Sequence, residues 1–331
     1  MAIRILKPGI FDTIQDKGRY GFACWGINPG GVMDPYAAAV ANALVGNGPD
    51  SAILELHFPA AQLLLEEDAL ISICGADFKA TGNGQPLPLW QPILVRKNVT
   101  IHFEKCLWGA RCYVAVCGGF HLPEWLGSYS TNTKAKVGGY QGRALMKQDR
   151  IPFAGPGFSS QKTGPLHQDL KSLPWEERPE PEVYSTTSFP IMKGREWDLF
   201  TAHSREQLLQ AEFSLSSSAD RMGFPLEGPA IECEVPAELV SSGVTTGTIQ
   251  VLPNGKMIIL MADHQTTGGY PRIGQVSLMA LLGLAQYRPG SRLTFQLTDE
   301  KTSEEQYLTQ QNNLSGVLLR CREKIKPWLP S

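Results

Sequence analysis

The chain has 331 residues, 42% of them hydrophobic and 19% charged, and its formal net charge at pH 7 is −2. This balance is typical of a globular protein long enough for two cores, and it gives no electrostatic reason to expect a nucleic acid or an acidic membrane as a partner. No apolar run approaches the ~20 residues that cross a bilayer, and the N-terminus lacks a signal-peptide core, so we expect a cytoplasmic protein.

The first well-defined element is a helix that begins after Asp34. Asp34 is a favourable N-cap, Pro35 fits the first helical position, and Gly46 suits the position just past the end. Because most residues between them are apolar, the helix should be buried, and Asn42 must then find hydrogen-bond partners. Capping alone is the simplest role for Asp34.

Residues 51–153 alternate short apolar runs with Gly, Pro or Asn turns. Many short strands with few helices are typical of an antiparallel barrel or sandwich. The predicted strands are Ile53–Phe58, Ala61–Leu65, Leu70–Cys74, Ile93–Val95, Val99–Phe103 and Arg111–Val116. Three Gly-rich polar loops follow, at 117–120, 126–132 and 137–143, and loops at one end of a rigid barrel commonly carry binding groups.

Proline punctuates the next stretch without any periodic pattern, which indicates a linker. A capping box at Ser204–Gln207 then opens a short predicted helix that runs to about Phe213. The predicted organisation is an N-terminal domain over 1–160, a Pro-rich linker over 161–190, a C-terminal domain over 191–300, and a peripheral, helical segment over 301–331.

A β-hairpin with a polar extension dominates the C-terminal half. Thr248–Val251 and Met257–Ala262 are apolar runs separated by a Pro-Asn-Gly turn, which is a strong hairpin signal. The second run continues into the Gly-rich loop 263–272, and the apolar residues 274–286 predict a buried helix after it. A Gly-rich loop beside a helix N-terminus favours an anion. A turn that closes a barrel is an equally good interpretation, because the Gly-x-x-x-x-Gly-Lys-Ser/Thr phosphate pattern is absent.

The cysteines and histidines give no support for a metal site. Seven cysteines occur without a Cys-x-x-Cys pair, and six histidines are scattered without ligand spacing. We therefore expect buried free thiols, no disulfides and no bound metal.

Ten ordered motifs resemble those of one protein family, the allophanate hydrolase subunit 2 family, also called the biotin-dependent carboxyltransferase family. The resemblance covers about Arg4 to Phe295 and implies a mainly β fold with two cyclophilin-like β-barrel domains and a few short buried helices. The motifs are IQDKGRYGF, GGVMDPYAAAVANALVGN, AILEL, ICGADF, AVCGGF, LGSYST, GGYQGRAL, SADRMGFPLEG, GTIQV and DHQTTGGYPRIG. Tyr129 departs from the pattern, because arginine is common at its place in LGSYST.

Stand-alone members of this length most resemble the C subunit of bacterial ATP-dependent 5-oxoprolinases. The resemblance implies conversion of the lactam 5-oxo-L-proline to L-glutamate with ATP hydrolysis, together with two sister chains of the same enzyme, the A subunit and the cyclophilin-like B subunit. Two alternatives stay open. The same motifs occur in carboxyltransferases that act on urea, and some B–C pairs resemble a kinase inhibitor and its antagonist, which would make this chain a non-enzymatic regulator.

Opening a lactam requires a cation for the substrate carboxylate, donors for oxyanion charge, and a base. The candidate bases are Asp16, Asp34 and Asp263. For each Asp–Arg combination, a structural ion pair is the competing interpretation. The candidate substrate- or anion-binding residues are Arg19, Asn42, Ser130, Arg143, Arg221, Gln250, Gln265, Thr266, Thr267, Gly268, Gly269, Tyr270 and Arg272.

ATP is the cofactor that the resemblance implies, bound either by this chain or by the rest of the complex. The sequence carries no recognisable nucleotide-binding motif. Biotin is not expected on this chain, because the only candidate context, Ala144–Lys147, lacks the second methionine of a biotinyl-lysine site.

Overall fold

The computed structural model describes residues 2–155, 168–180, 182–234 and 239–329, and the chain divides into two compact units that are interleaved in sequence. Unit 1 consists of Met1–Arg19, Asp34–Pro179 and Asn312–Ser331, whereas unit 2 consists of Tyr20–Met33 and Glu180–Gln311. The predicted domains were contiguous, so this division differs from them in the placement of two short segments, 20–33 and 312–331. The end of the predicted N-terminal domain, 156–160, and part of the predicted linker, 161–167 and residue 181, lie outside the described residues.

Unit 1 contains twelve of the described strands, arranged in two six-stranded sheets. The sheet orders are β11-β1-β4-β9-β6-β7 and β12-β8-β5-β10-β3-β2, with antiparallel pairing between neighbours. The strands are β1 (Ala2–Lys7), β2 (Thr13–Gln15), β3 (Ile53–His57), β4 (Gln62–Leu65), β5 (Ala69–Asp77), β6 (Ala80–Gly82), β7 (Gln85–Pro86), β8 (Pro92–Val95), β9 (Thr100–Phe103), β10 (Trp108–Val116), β11 (Arg150–Pro152) and β12 (Leu170–Ser172).

One continuous apolar core lies between the strands of unit 1, and it includes Ile3, Leu63, Ile71, Val114 and Phe78. All six predicted strands between residues 51 and 116 are present, with ends that differ by at most three residues. The predicted linker is only partly a linker, because β12 lies within it and pairs with β8.

Helix α1 (Pro35–Leu44) is buried as predicted and packs against β5 and β10. The Ala37 amide donates to the Asp34 carboxylate at 3.0 Å, and Gly46 adopts a φ of 80° just past the helix. The sequence signals for this helix are therefore confirmed at both ends.

Unit 2 contains a closed seven-stranded barrel and a separate two-stranded ribbon. The barrel order is β13-β20-β17-β18-β15-β14-β21, and a parallel pair, β13 with β21, closes it. The strands are β13 (Ser188–Lys193), β14 (Phe213–Leu215), β15 (Gly223–Glu227), β16 (Ser242–Gly243), β17 (Thr248–Val251), β18 (Met257–Leu260), β19 (Thr267–Gly268), β20 (Arg272–Val276) and β21 (Arg292–Leu297). The predicted mainly β fold is confirmed.

The remaining described helices are short, except the last. They are α2 (Glu182–Ser185), α3 (Ala202–Gln210), α4 (Leu278–Leu284), α5 (Glu300–Ile325) and the 3-10 turns Ala23–Trp25, Trp197–Leu199 and Lys326–Trp328. The helix predicted for the C-terminal segment is thus confirmed. Its C-terminal part is fixed to unit 1 by Glu177, whose carboxylate accepts from Arg320 at 3.0 Å and from Lys324 at 2.8 Å.

Two local predictions in unit 2 are wrong. The apolar stretch 274–286 is not one helix: it completes β20 and then forms α4, which Ser277 caps. A buried strand and a buried helix both appear as unbroken apolar runs, so sequence alone did not separate them. Ser204 is not a cap but lies inside α3, which Thr201 caps through the Ser204 amide at 3.0 Å.

Candidate functional site

The predicted site residues fall into both units, and each unit is described separately. Unit 1 holds Asp16, Arg19, Asp34, Asn42, Ser130 and Arg143, and unit 2 holds Arg221, Gln250, Asp263, Gln265 to Tyr270, and Arg272. Within unit 1 the structure brings Asp16, Arg19 and Ser130 together in one hydrogen-bonded network.

Asp16 is the centre of that network, at the end of β2. Its carboxylate accepts hydrogen bonds from the Ser128 hydroxyl at 2.7 Å, the Ser130 hydroxyl at 2.5 Å, and the amides of Gly18 at 2.8 Å and Tyr129 at 2.6 Å. Its backbone amide also donates to the Ser130 hydroxyl at 3.1 Å. A carboxylate engaged by four donors is well suited to fixing the 128–130 loop.

Arg19 covers the other side of the same loop. The buried guanidinium donates to the Ser130 carbonyl and stacks over the Trp125 ring, 4.7 Å from its centroid. Gly138 permits this approach, because a Cβ there would lie 3.0 Å from the Arg19 Nη2 atom. Arg19 and Ser130 were predicted site residues, whereas Trp125 and Ser128 were not.

Asp34 belongs to a different buried group below α1. Its amide donates to the Tyr113 hydroxyl at 2.8 Å, and that hydroxyl donates to the Glu55 carboxylate at 2.9 Å. Burial, with the charges of Glu55 and Asp34, raises the pKa of Tyr113 well above its usual value. Asp34 is thus a cap within a buried polar network, and Glu55 and Tyr113 had no signal in the sequence beyond their places in strands.

Asn42 and Arg143 are satisfied locally within unit 1. The Asn42 amide donates to the Ser51 carbonyl at 2.9 Å and accepts from the Asn47 side chain at 3.2 Å, which meets the predicted need for partners. Arg143 forms a two-pronged pair with Asp149, at 2.6 and 2.8 Å. Hydrogen bonding to Asp149 raises the pKa of Arg143. Burial acts to raise the pKa of Asp149, but the bonds from Arg143 and the Met146 amide outweigh it and lower that pKa.

In unit 2, Arg221 and Asp263 form one of the most buried ion pairs. The guanidinium donates to both carboxylate oxygens, at 2.8 and 2.9 Å, and to the Gly31 carbonyl at 2.5 Å. The Asp263 amide returns a bond to the Arg221 carbonyl at 2.8 Å. The structure therefore places the predicted base Asp263 in an ion pair, which is the geometry expected of a structural bridge.

Arg272, which follows the Gly-rich loop, is paired with a residue that the sequence did not suggest. It donates to Glu196 from Nε at 2.7 Å, Nη2 at 2.5 Å and the backbone amide at 3.1 Å, and from Nη1 to the Gly243 carbonyl at 3.1 Å. Both side chains are nearly buried, with exposed fractions of 13% and 10%. The bonds from Arg272 lower the pKa of Glu196 and raise that of Arg272.

The Gly-rich loop contains β19, which pairs with β16 in a two-strand ribbon, and the loop leads into β20 where a helix was predicted. Ser242 pairs with Gly268, and Gly243 with Thr267. Further backbone bonds run from Val244 to the Thr266 carbonyl at 3.1 Å and from Leu239 to the Gly269 carbonyl at 2.7 Å. Part of the backbone of the loop that was predicted to bind an anion is therefore engaged in the hydrogen bonds of the ribbon. Thr267 and Gln265 are exposed, while Thr266, Gly269 and Tyr270 are half-buried.

Gln250 lies against this ribbon from the barrel side. Its neighbours Ile249 and Val251 belong to the barrel core, so by strand alternation the Gln250 side chain is on the opposite face. The side chain is 1% exposed, and its Nε2 atom has no hydrogen-bond partner in the described structure. A Cβ on Gly268 would lie 2.3 Å from Gln250 Nε2 and 3.4 Å from Gln265 Nε2. Two amide nitrogens thus lie next to Gly268.

His264 lies between Asp263 and Gln265 in the chain. Its buried ring donates from Nδ1 to the Gln265 carbonyl at 2.5 Å, which fixes the backbone before the ribbon. Burial lowers the pKa of His264, although the Gln265 bond and the Asp263 charge act in the opposite direction. His264 is thus a neutral support for the loop near pH 7.

Two other kinds of site are absent from the part of the chain that the structure describes. In that part, no three His, Cys, Asp or Glu side chains are grouped so that they would hold a metal ion. None of the described helices combines the length and apolar character needed to span a membrane.

Comparison with known proteins identifies relatives over almost the whole chain. Residues 25–297 match the model of the family described as carboxyltransferase domain, subdomain A and B. The chain is 32% identical over 299 residues to the C subunit of 5-oxoprolinase from Escherichia coli, covering 88% of this chain and 90% of that protein. The corresponding protein of Haemophilus influenzae is also 32% identical, over 288 residues, covering 86% of this chain and 87% of that protein.

A solved structure gives the same result for the fold. The urea amidolyase of K. lactis superposes with a TM-score of 0.84 at 25% identity, over 96% of this chain. This chain corresponds to only 20% of that much longer protein. The module is therefore a stand-alone subunit in some relatives and one part of a long chain in others.

Proposed function

The chain belongs to the carboxyltransferase domain family, subdomains A and B, and we propose on this basis that it is one subunit of an ATP-dependent 5-oxoprolinase. The observation that carries the proposal is the 32% identity to the C subunit of 5-oxoprolinase, which extends over nearly the full length of both chains. The complex would hydrolyse the ring amide of 5-oxo-L-proline. One water adds to the carbonyl carbon as the ring C–N bond breaks and its nitrogen takes up the proton, and a second water is consumed as ATP is converted to ADP and phosphate.

The lactam must be activated before the ring opens. Either its carbonyl oxygen is phosphorylated, or its nitrogen is carboxylated, and both routes need donors for negative charge on oxygen. The described residues best placed to supply donors are at the ribbon, where the amide nitrogens of Gln250 and Gln265 meet Gly268. Asp16, Asp34 and Asp263 are weaker candidates for the base, because each carboxylate already accepts hydrogen bonds from donors of the protein.

ATP fits another chain of the complex better than this one. Each of the four arginines proposed as anion partners, Arg19, Arg143, Arg221 and Arg272, donates to oxygen atoms of the protein itself. A triphosphate would have to compete with these bonds. We therefore propose that one of the sister chains, A or B, holds ATP. We also propose that the complex is cytoplasmic and that no biotin is attached to this chain.

A second function is favoured by the similarity to urea amidolyase, which extends over 98% of this chain at 26% identity to the protein of Saccharomyces cerevisiae. In this alternative the chain is the carboxyltransferase component for urea or a similar amide, and another chain brings the carboxyl group. Both functions require recognition of a small planar amide. They differ in whether the substrate also carries a carboxylate.

The first test is reconstitution. ATP-dependent release of glutamate from 5-oxoproline should appear when this chain is mixed with the A and B subunits, and should vanish when any of the three is left out. Urea with a carboxylated biotin carrier is the parallel assay. Turnover of urea but not of 5-oxoproline would replace the first function with the second, and no turnover of either amide would favour the regulatory alternative.

An exposed aromatic cluster supports a protein partner for unit 2. Tyr20 and Trp25 are 69% and 71% exposed, and the rings of Phe22 and Trp25 lie 5.6 Å apart within the same short segment. Tyrosine and tryptophan are the side chains most enriched at the energetic centres of protein interfaces. Since relatives carry this module inside longer chains, we propose that the B subunit of the complex covers this cluster.

Trp25→Ala should weaken association with the B subunit at least about 5-fold, because truncating a buried interface tryptophan typically costs more than about 1 kcal/mol. The melting temperature of the isolated chain should not change, since the ring contributes little to its own core. The measurement is titration calorimetry with the purified partner. Leu308→Ala, which removes an exposed apolar side chain from α5, is the control. Equal affinities of the Trp25 variant and wild type would place the interface elsewhere.

A further inference from the structure

The buried Gln250 side chain lowers the stability of the fold in an unusual way. A buried polar group without a hydrogen bond destabilises a protein by about 1–3 kcal/mol, and such groups are uncommon in native structures. Gln250 is almost fully buried between the barrel and the two-strand ribbon, yet its Nε2 atom has no partner among the described residues. A leucine or methionine would fill the same space without this cost.

The end of the Gln250 side chain packs against Gly268. The ideal Cβ position of Gly268 is 2.3 Å from Gln250 Nε2, so a side chain at residue 268 would displace the amide. The same position is 3.4 Å from Nε2 of Gln265, a residue that is exposed. One amide donor therefore lies next to Gly268 on the buried side, and a second lies next to it on the solvent side.

The two amide donors determine the kind of ligand that could bind here. An amide nitrogen only donates, so its partner must be an acceptor, and two neighbouring donors match an sp² oxygen of a carbonyl or carboxylate group. A cation or an apolar group gains nothing there. Since the Gln265 side chain is on the solvent side and exposed, it can move to admit the oxygen and then donate to it.

We propose that the amides of Gln250 and Gln265 bind an sp² oxygen of the substrate at the ribbon, with Gly268 as the residue that makes this possible. This inference rests on the proposed function for the identity of the substrate. Gln250 is then a substrate-binding residue whose buried amide lowers the stability of the chain. The two oxygen sources in 5-oxoproline, the lactam carbonyl and the carboxylate, share this chemistry and are separated by the test below.

The decisive variant is Gln250→Met, which has a similar length and no donor. It should raise the melting temperature of the isolated chain by about 2–4 °C, because the unpaired buried amide is removed. In the reconstituted complex it should raise the KM for 5-oxoproline by about 10- to 100-fold. A merely structural glutamine would give the opposite result for stability, namely a lower melting temperature.

Two further variants remove ambiguity. Gln265→Ala changes an exposed side chain, so its melting temperature should match the wild type while its KM rises. Gln250→Glu keeps the shape but replaces the donor with acceptors, and it should bind 5-oxoproline no better than the methionine variant. The control Gln210→Ala removes a glutamine amide from the exposed side of α3, and both readouts should stay at wild-type values.

Competition by simpler compounds identifies the oxygen. If the two amides bind the lactam carbonyl, 2-pyrrolidinone should inhibit the wild-type complex much more strongly than the Gln250→Met complex, and proline should inhibit both equally. If they bind the carboxylate, the pattern reverses. An active wild-type complex whose KM is unaffected by Gln250→Met overturns the inference but leaves the proposed function intact, whereas an inactive wild-type complex rejects the proposed function itself.

Discussion

Arg272→Ala is expected to lower the free energy of unfolding by about 3 kcal/mol, because it leaves the Glu196 carboxylate nearly buried without its cation. The guanidinium makes two bonds to that carboxylate, at 2.7 and 2.5 Å, and a third to the Gly243 carbonyl of the two-strand ribbon. Ribbon and barrel should loosen together. The activity of the complex should fall together with the stability of the chain. If Arg272 only bound an anion, the KM would rise and the melting temperature would not change.

Denaturant unfolding of the isolated chain measures this effect. Arg195→Ala is the matched control, because Arg195 also approaches Glu196, at 3.9 Å, but its side chain is 78% exposed. Its loss should change the free energy of unfolding by no more than about 0.5 kcal/mol. A stable Arg272→Ala protein with a raised KM would instead restore the anion-binding interpretation.

The pH dependence gives an independent readout of the same pair. Hydrogen bonding to Arg272 lowers the pKa of Glu196 from its usual 4.5. A carboxyl group with a lower pKa in the folded state stabilises the fold above its unfolded pKa, and that contribution disappears as the pH falls through the folded value. Glu196→Gln should therefore flatten the decline in stability below about pH 4.5.

Asp16→Ala is expected to lower the free energy of unfolding by at least about 3 kcal/mol, since each buried donor left without an acceptor costs about 1–3 kcal/mol. Four donors lose their acceptor at once: the hydroxyls of Ser128 and Ser130 and the amides of Gly18 and Tyr129. The 128–130 loop should become mobile, and amide hydrogen exchange in that loop should accelerate markedly.

Asp50→Ala serves as the control for Asp16, because Asp50 forms an exposed pair with Lys17 at 2.8 Å and should contribute little. Asp16→Asn distinguishes a structural carboxylate from a base. A structural role predicts a lower melting temperature with partial activity. A catalytic role predicts complete loss of activity at an unchanged melting temperature, and that result would contradict the structural assignment.

Local signals in the sequence predicted local structure correctly. The cap at Asp34 and the turn at Gly255 determine a helix end and a hairpin from a few adjacent residues, and both are confirmed. The helix expected over 274–286 was wrong because its first residues complete a barrel strand, and only the pairing of β20 with β13 and β17 reveals this.

The partners of the site residues could not be predicted in the same way. Glu196 lies 76 positions before Arg272, and Ser128 lies 112 positions after Asp16. The sequence identified the polar loops as candidates because Gly and hydroxyl residues interrupt the strands. It contained no information on which charges neutralise one another across a closed barrel, and therefore did not show that the arginines are already engaged.

The interleaving of the two units has a consequence for how the chain is made on the ribosome. Unit 2 takes most of its residues from 180–311, so it has all its segments once that stretch has emerged. Unit 1 combines residues near the start of the chain with Asn312–Ser331, including Lys324 and its bond to Glu177. Every segment of the second unit therefore leaves the ribosome before the last segment of the first, in contrast to the N-terminal-first order usual for multidomain proteins.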